Sequence, residues 1–420
     1  MKKRKKMKKS TLKIASLLFT ATLTMTMVSC KQEGCTNPLA TNYDADADED
    51  DGSCELPAEE TENEVLVSAN ITENTTWTKD KTYILNTRVT VTAGNTLTIE
   101  PGTVIKGEVG TGANATALII ARDGMLMAEG TETEPIIFTT VADEILSGQI
   151  ESPNMDNTLN GLWGGLIVLG NAPISADADA VQIEGIPPSD QNGLYGGSDA
   201  ADNSGVIKYV SIRHGGANIG EGNEINGLTL GGVGTGTVIE NVEIVSNQDD
   251  GIEWFGGTVN VKNAIVWNTG DDAIDTDQAW SGTLDNFVVV NPGDECFELD
   301  GPEGTGTGSH TIINGHVAAG GASGLVDLDD NSDLSMSNVY FFDLTFGQTF
   351  DELPVAAEGG SFTGSSLEAT IPSGETLTDY FLDGSDANVT NVAAGANTVG
   401  ANMSVLTSWS WAGVSGALNF

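Results

Sequence analysis

The chain has 420 residues, with 60 Asp and Glu against 17 Lys and Arg, and its 52 Gly contrast with only 4 Cys. The formal net charge of −43 would repel nucleic-acid phosphates, so we expect no nucleic-acid partner. Four cysteines are too few for a disulfide scaffold. The many Gly, Asn, Asp, Thr and Val residues favour strands and turns over helices, in two domains or one elongated repeat fold.

The first 29 residues have the pattern of a secretory signal. Eight basic residues fall in residues 1–13, and residues 14–28 form an apolar stretch too short for a permanent membrane span. The motif Met27-Val28-Ser29-Cys30 resembles a bacterial lipobox, which implies cleavage before Cys30 and lipid attachment there. We therefore expect a lipid-anchored protein at the outer membrane, facing the cell surface. An ordinary signal cleaved nearby is the alternative.

Residues 30–64 predict a lipidated cysteine, a small acidic loop and a tether. In an exported protein, Cys35 and Cys54 would form a disulfide around the acidic loop. The loop resembles a short Cys-bracketed repeat of exported Bacteroidota proteins. It departs from an EF-hand because Glu49 stands where glycine is needed, and a solvated acidic turn is the alternative to a calcium site. Calcium would bind the alternating carboxylates of Asp44, Asp46, Asp48 and Asp50.

A repeat of 22 to 28 residues runs through residues 206–345. Each repeat has two short strands, and the second has two apolar columns with an acidic column between them. The apolar columns are Leu228/Ile252/Ile274/Phe297/Val326 and Leu230/Trp254/Thr276/Leu299/Leu328. One asparagine column, at Asn241, Asn263, Asn286, Asn314 and Asn338, opens the first strand, and another follows it at Asn247, Asn268 and Asn291.

These columns predict an all-β fold, a right-handed parallel β-helix over residues 65–345. Coils of a β-helix stack so that equivalent residues form ladders, whereas a β-sandwich would not keep five repeats in register. Period-two alternation places the apolar columns inside and the acidic columns outside. Residues 346–420 are predicted to form the last coils and a C-terminal cap, in which Trp409, Trp411 and Phe420 close the open end.

Several motifs resemble a β-helix lipoprotein family of Bacteroidota. The resemblance covers about residues 65–345 and implies the fold and the location. It implies no catalytic residues, since no activity is established for that family. The motifs are residues 97–103 (LTIEPGT), 135–139 (PIIFT), 161–166 (GLWGGL), 223–230 (NEINGLTL) and 249–259 (DDGIEWFGGTV).

We interpret the acidic columns as a binding surface. Two carboxylates on coils roughly 4.8 Å apart repel by about 3–4 kcal/mol at an effective dielectric of about 20. Such a ladder requires a cation, raised pKa values or divergent rotamers, and calcium is the expected cation, with no organic cofactor. A solvated acidic wall is the alternative. The predicted ligand-binding residues are Glu253, Asp275, Asp277, Glu298, Asp300, Asp327 and Asp329, with Asp271 and Asp272 as further metal ligands.

Three functions remain open. The first is non-catalytic binding of a glycan or an outer-membrane protein partner, with Phe255, Trp267, Trp280 or Tyr340 offering rings to sugars. The second is a carbohydrate-active enzyme, either a hydrolase with paired carboxylates or a lyase with a base. The third is a purely structural surface protein. The catalytic candidates are Arg213, His214, Glu253 and Asp275; His214 as a turn residue bonded to backbone is the alternative to a base, and Lys208 and Lys262 are further bases.

Overall fold

The computed structural model describes residues 33–36, 42, 47, 49–53, 63–219 and 225–420, in two units, Met1–Glu62 and Asn63–Phe420. In the first unit, Glu33–Gly34 pairs in parallel with Glu49–Asp50, and Cys35 is buried. The anchor, the disulfide and the acidic calcium loop stay predictions. They depend on residues or side chains outside the described part of the chain, which are Cys30, Asp44, Asp46, Asp48, Cys54 and the side chain of Asp50.

Two parallel sheets build the second unit and confirm the predicted parallel β-helix. Within the described residues, no helix is long and apolar enough to cross a membrane. The long sheet has 15 strands and the short sheet has eight. The short sheet contains, in order, Arg88–Val91, Ala117–Ile120, Leu166–Leu169, Leu228–Gly231, Ile252–Phe255, Ile274–Asp277, Phe297–Leu299 and Asp327–Leu328.

The long sheet runs along the whole second unit. Its main path contains Glu64–Val67, Thr82–Leu85, Val104–Gly107, Ile136–Thr140, Gly205–Arg213, Val238–Val245, Val261–Trp267, Thr283–Val290, His310–Ala318, Asp333–Phe342, Ser361–Ala369 and Val389–Asn391. Three further strands pair beside the early part of this path, and they are Thr75–Trp77, Thr96–Ile99 and Met125–Glu129.

A single left-handed residue bends each of the longer strands in the long sheet. Strand Gly205–Arg213 pairs through its first half with Met125–Glu129 and through its second half with Ile136–Thr140. In the early coils these two rows are separate strands connected by a turn. In the later coils the two halves of one strand continue the two rows. In the later coils one residue with φ between 49° and 65° forms this corner, at Tyr209, Asn241, Asn263, Asn286, Asn314, Asn338 and Ser366.

Asparagine suits this corner for two reasons. It tolerates the left-handed region better than most other non-glycine residues. Its amide also bonds to the neighbouring coil, because Asn286 Nδ2 donates to Asn263 Oδ1 at 2.7 Å and Asn263 Nδ2 donates to Asn241 Oδ1 at 3.3 Å. The predicted asparagine column is therefore confirmed, but its residues lie at a corner within each strand and do not open it. The amide ladder is interrupted at Asn314, whose Nδ2 donates to Asp285 Oδ1 at 2.6 Å.

The second asparagine column is confirmed only in part. Asn291 Nδ2 donates to Asn268 Oδ1 at 3.0 Å, and both residues have positive φ. The placement of Asn247 in this column is wrong, because Val245 pairs with Trp267 and Ser246 therefore occupies the position. Asn247 instead donates to the carbonyl oxygens of Ile225 and Asp250.

An insertion over residues 171–204 covers the outer face of the short sheet. It contains the antiparallel strands Val181–Gln182 and Leu194–Tyr195. Arg88 and Arg122 connect it to the early coils, through hydrogen bonds to the carbonyl oxygens of Gly185 at 3.1 Å and Gly196 at 3.0 Å. One apolar cluster joins the two layers, and it includes Ala117, Ile119, Ile167, Leu169, Ile183, Ile186, Tyr195 and Phe255.

The C-terminal tail covers the outer face of the long sheet. Its helix Trp411–Ser415 begins over Glu243, whose carboxylate accepts hydrogen bonds from the backbone nitrogens of Trp411 at 3.1 Å and Ala412 at 2.8 Å. Short 3₁₀ segments lie at Gly112–Asn114, Gln191–Gly193, Leu377–Asp379, Ser385–Asn388 and Met403–Val405.

The prediction that Trp409, Trp411 and Phe420 close the last coil is wrong. Trp409 and Trp411 pack in one cluster with Val245, Ile265, Trp267 and Val288 of the long sheet. Phe420 contacts the rings of His316 and Phe342 on the same sheet. These outward strand positions are largely apolar, so they require a cover, and the tail supplies it.

Replacement of Asn286 tests the corner. We expect Asn286→Val to destabilise the protein more than Asn286→Gly, by about 1–3 kcal/mol, because a β-branched residue is strained at positive φ whereas glycine is not. Both variants lose the amide bonds, so their difference isolates the backbone effect. The measurement is urea unfolding followed by circular dichroism. Equal midpoints for the two variants would show that the left-handed conformation imposes no constraint.

Candidate functional site

The acidic ladder has the register that the sequence predicts. Successive strand pairs align Thr229 with Glu253, Glu253 with Asp275, Asp275 with Glu298, and Glu298 with Asp327. The apolar columns are confirmed by the same pairings. The acidic side chains of this ladder point away from the apolar interior of the coil. The function of the ladder therefore depends on what covers this outer face.

The ladder is not solvated along its whole length. Glu253 is 7% exposed and Asp275 is 9% exposed, whereas Glu298 and Asp327 are half-buried and Asp329 is exposed. Asp277 and Asp300 are half-buried. This gradient is not evident from the sequence, because the insertion over residues 171–204 does not share the repeat that places the coils.

Five carboxylates come together at the buried end of the ladder, and we call them the acidic centre. Within Asp250, Glu253 and Asp275, one carboxylate oxygen of each residue lies within 4.8 Å of the others, and all three residues are buried. A second group with the same spacing shares Asp250 and adds half-buried Asp249 and exposed Asp271. The acidic centre therefore runs from the surface at Asp271 to the interior at Glu253 and Asp275.

The turn aspartates also hold neighbouring coils together. Asp250 Oδ1 accepts a hydrogen bond from the backbone nitrogen of Asp272 at 3.0 Å, and Asp272 Oδ1 accepts one from the backbone nitrogen of Glu295 at 2.6 Å. The predicted metal ligands Asp271 and Asp272 thus separate: Asp271 faces the acidic centre at the surface, and Asp272 is buried in the coil contact.

Burial and mutual repulsion disfavour ionisation in the acidic centre. The pKa values of Asp250, Glu253 and Asp275 are raised well above the usual range, first by burial and then by neighbouring carboxylates. Burial also raises the pKa of Asp272 to about 10. Along the ladder, burial raises the pKa values of Asp277 and Asp300 to about 7, with help from Glu303 and Asp329 respectively.

A buried amide adjoins the acidic centre. Asn226 is 1% exposed, and its Nδ2 donates to Glu253 Oε2. Its Oδ1 is buried and has no hydrogen-bond partner in the part of the chain that the structure describes. An unpaired buried amide oxygen costs free energy, and it is also a ligand that hard cations accept. The site therefore offers carboxylate and amide oxygens together, which suit either bound protons or a divalent cation.

The four catalytic candidates do not assemble into one site. Glu253 and Asp275 lie on the short sheet, but Arg213 and His214 lie at the end of a long-sheet strand and are fully buried. The interpretation of His214 as a turn residue is confirmed, because its φ is 60° and its Nδ1 lies 2.6 Å from the carbonyl oxygen of Leu159. Arg213 lies 5.0 Å from the Trp411 ring centre.

The other candidate bases also lie on the long sheet. Lys208 pairs with Glu240 at 3.0 Å, and Lys262 pairs with Asp285 at 3.2 Å. All four predicted aromatic rings are buried. Trp280 stacks on Trp254 inside the coil. Phe255 packs against the insertion, Trp267 packs against the tail, and Tyr340 lies beside tail residues such as Ala394 and Asn397.

Comparison with known proteins identifies a family for this chain. A family model described as a pectate-lyase like beta helix domain matches residues 69–320, which is more than half of the chain. No curated protein and no solved structure matches the chain. The matched segment contains the whole acidic centre and the ladder as far as Asp300, and it ends before Asp327 and Asp329.

The raised pKa values predict the pH dependence of stability. An acid whose folded pKa is raised binds more protons in the native state, so stability falls as pH rises from the unfolded value to the folded one. The pKa of Asp277 is about 7. Ionisation of this residue alone would therefore lower the free energy of unfolding by up to about 4 kcal/mol as the pH rises from about 4 to above 7. We expect the metal-free protein to melt at a lower temperature at pH 8 than at pH 5.

Calcium should reverse this loss if it replaces the protons. We expect added calcium to raise the melting temperature at pH 8 and to have little effect at pH 5. Asp275→Asn removes one buried ionisable carboxyl group and should flatten the pH profile. The measurement is differential scanning calorimetry with a chelator or with calcium. A metal-free protein that is equally stable at both pH values would contradict the burial of ionisable carboxylates.

Proposed function

Because this chain belongs to the pectate-lyase-like β-helix family, we propose that it is a non-catalytic carbohydrate-binding protein that holds calcium in the acidic centre. The observation that carries the proposal is the continuous set of carboxylates from exposed Asp271 to buried Glu253 and Asp275. Such a set has an accessible outer end and a desolvated inner end, which is what a cation needs to enter and to be retained.

The ligand chemistry supports calcium. Calcium takes six to eight oxygen ligands at flexible geometry. Asp249, Asp250 and Asp271 supply three carboxylates at the outer end, so several coordination positions would remain for water or for a ligand. The buried carboxylates of Glu253 and Asp275 would add negative charge behind the ion and so strengthen its retention.

The negative charge of the protein determines how an acidic polysaccharide could bind. A uronate polymer would be repelled by a chain of net charge −43 unless a cation lies between them. A calcium ion at the outer end of the acidic centre would bridge protein carboxylates to a uronate carboxylate. The exposed end of the ladder, at Glu298, Asp300, Asp327 and Asp329, extends the surface along which further ions and sugar units would lie.

The separation of acids from bases argues against a lyase. A lyase requires a base near the sugar carbon that loses its proton, but the candidate bases lie on the other sheet. A hydrolase is the second candidate function, favoured by Asp277 and Asp300. Their pKa values at about 7 match those of groups that exchange protons near neutral pH.

The proposed setting is the outer membrane. The lipobox-like residues before Cys30 support a lipid anchor, and the acidic Cys35–Cys54 segment, closed by a disulfide and holding calcium, would separate the β-helix from the membrane. A surface location would expose the ladder to extracellular polysaccharide, or to an outer-membrane partner that presents it.

Binding of polygalacturonate tests the proposal. We expect residues 56–420 to bind it with calcium and to lose binding with a chelator. Asp271→Asn should weaken calcium-dependent binding about tenfold, because it removes one charged ligand from the outer end. Asp383→Asn is the matched control, since Asp383 is exposed and lies outside the ladder. The measurement is isothermal titration calorimetry.

The same mixtures separate binding from catalysis. Reducing ends that accumulate with the wild-type protein and disappear with Asp300→Asn would establish the hydrolase instead. Calcium-independent binding, or equal effects of Asp271→Asn and Asp383→Asn, would contradict the role of the acidic centre.

The anchor has its own test. We expect the full chain to incorporate an alkyne-labelled fatty acid in a bacterial host and to fractionate with the outer membrane. Cys30→Ala should abolish the label, whereas Cys35→Ala should keep it. Labelling of Cys30→Ala would place the lipid elsewhere.

A further inference from the structure

An aromatic cleft lies on the long sheet, away from the short sheet that carries the acidic centre. It is a cavity of about 540 Å³ on the outer face of the second halves of the strands, bounded by tail residues 394–397 and by Ala417 and Phe420. Volumes of this size are typical of small-molecule sites. The proposed calcium site does not use any residue of this cleft.

Strand register explains why the cleft exists. The outward column Val290, Ala318 and Phe342 places a small residue between two larger ones on successive coils. Ala318 therefore forms a low floor, and Phe342 forms one wall. On the tail side the lining is also small at Ala394, Gly395 and Ala417, so the tail lies over this face without filling it.

Four rings surround the floor. Tyr340 and Phe342 are stacked, with ring centres 4.9 Å apart and planes 10° apart, and Tyr340 is buried. Phe420 lies 4.7 Å from Phe342 and 5.9 Å from His316. Phe420 is 52% exposed although it is a large apolar side chain, which leaves one ring accessible from solvent.

His316 lines one side of the cleft as a neutral imidazole. The backbone nitrogen of Ala401 donates to His316 Nδ1 at 2.7 Å, so the proton of the neutral ring is on Nε2. Burial lowers the pKa of His316 further below neutrality. No lysine or arginine is among the described residues that line the cleft, so its wall carries no positive charge.

The polar groups lie at the rim. Asp343 is exposed beside Phe342, and the Asn397 amide and the Thr370 hydroxyl also border the cavity. A ligand with an apolar face and hydroxyl groups at its edge would satisfy both the rings and the rim. An anionic ligand would meet Asp343 and the net charge of −43, and the described residues that line the cleft include no Lys or Arg to offset that repulsion.

We propose that this aromatic cleft binds a neutral pyranose unit of a glycan, with the sugar ring lying against Phe342 and Phe420. It is a second carbohydrate site that works without calcium and goes beyond the function proposed for the acidic centre. Asp343 accepts hydrogen bonds from sugar hydroxyls at the rim, and Ala318 leaves room for the ring edge.

The test is titration of residues 56–420, in the presence of a chelator, with hexasaccharides of β-1,4-glucan, β-1,3-glucan, α-1,4-glucan and β-1,4-mannan. At least one should bind. Phe420→Ala should weaken it about three- to tenfold, the range expected for loss of one aromatic contact. Phe346→Ala is the matched control, because Phe346 is 76% exposed and does not line the cleft.

Failure of this site and failure of the acidic centre are distinguishable. Phe420→Ala should leave calcium-dependent polygalacturonate binding unchanged, and Asp271→Asn should leave hexasaccharide binding unchanged. Saturation-transfer difference NMR with Asp343→Asn adds a second readout, in which loss of affinity without loss of ring contacts supports the rim role.

Three results would overturn the proposal. They are the absence of binding by every hexasaccharide, equal weakening by Phe346→Ala and Phe420→Ala, and binding of tetramethylammonium in place of the sugars. The last result would assign the rings and Asp343 to a cationic ligand.

Discussion

Parallel coils stack only when the backbone hydrogen bonds of one coil match those of the next, and this constraint places equivalent side chains directly above one another. The consequence depends on the side chain. At Asn263 and Asn286 the stacked amides donate to and accept from each other, so repetition stabilises the corner. At Glu253 and Asp275 the stacked groups are carboxylates, so the same repetition concentrates charge. The amide ladder and the acidic centre thus arise from one geometric rule.

The two covering segments decide what each outer face can do. The insertion over residues 171–204 buries the start of the acidic ladder and leaves its end open, which produces a gradient from Glu253 to Asp329. The tail covers the apolar outward positions of the long sheet around Trp267 and leaves the aromatic cleft farther along. The β-helix therefore carries two chemically different surfaces, one rich in oxygen ligands and one rich in rings.

Burial of carboxylates near the acidic centre has a thermodynamic cost that a proton or a cation offsets. The same groups therefore connect stability with ion binding, since whatever neutralises Asp250, Glu253 and Asp275 also stabilises the coils that carry them. Asp250 adds a direct link, because it belongs to both carboxylate groups and also accepts a hydrogen bond from the next coil.

The sequence by itself determined the parallel β-helix, the apolar columns and the register of the acidic ladder. In a stacked repeat, residues that contact each other on neighbouring coils recur at the repeat spacing along the chain. The prediction from the sequence that Asn247 belongs to the second asparagine column is wrong by one position. The pairing of Val245 with Trp267 places Ser246 next to Asn268 in that column. The burial of Glu253, the separation of His214 from the acids and the lateral position of Trp411 were decided by tertiary structure alone. They depend on where two non-repeating segments fold, and such segments make contacts that no periodicity records.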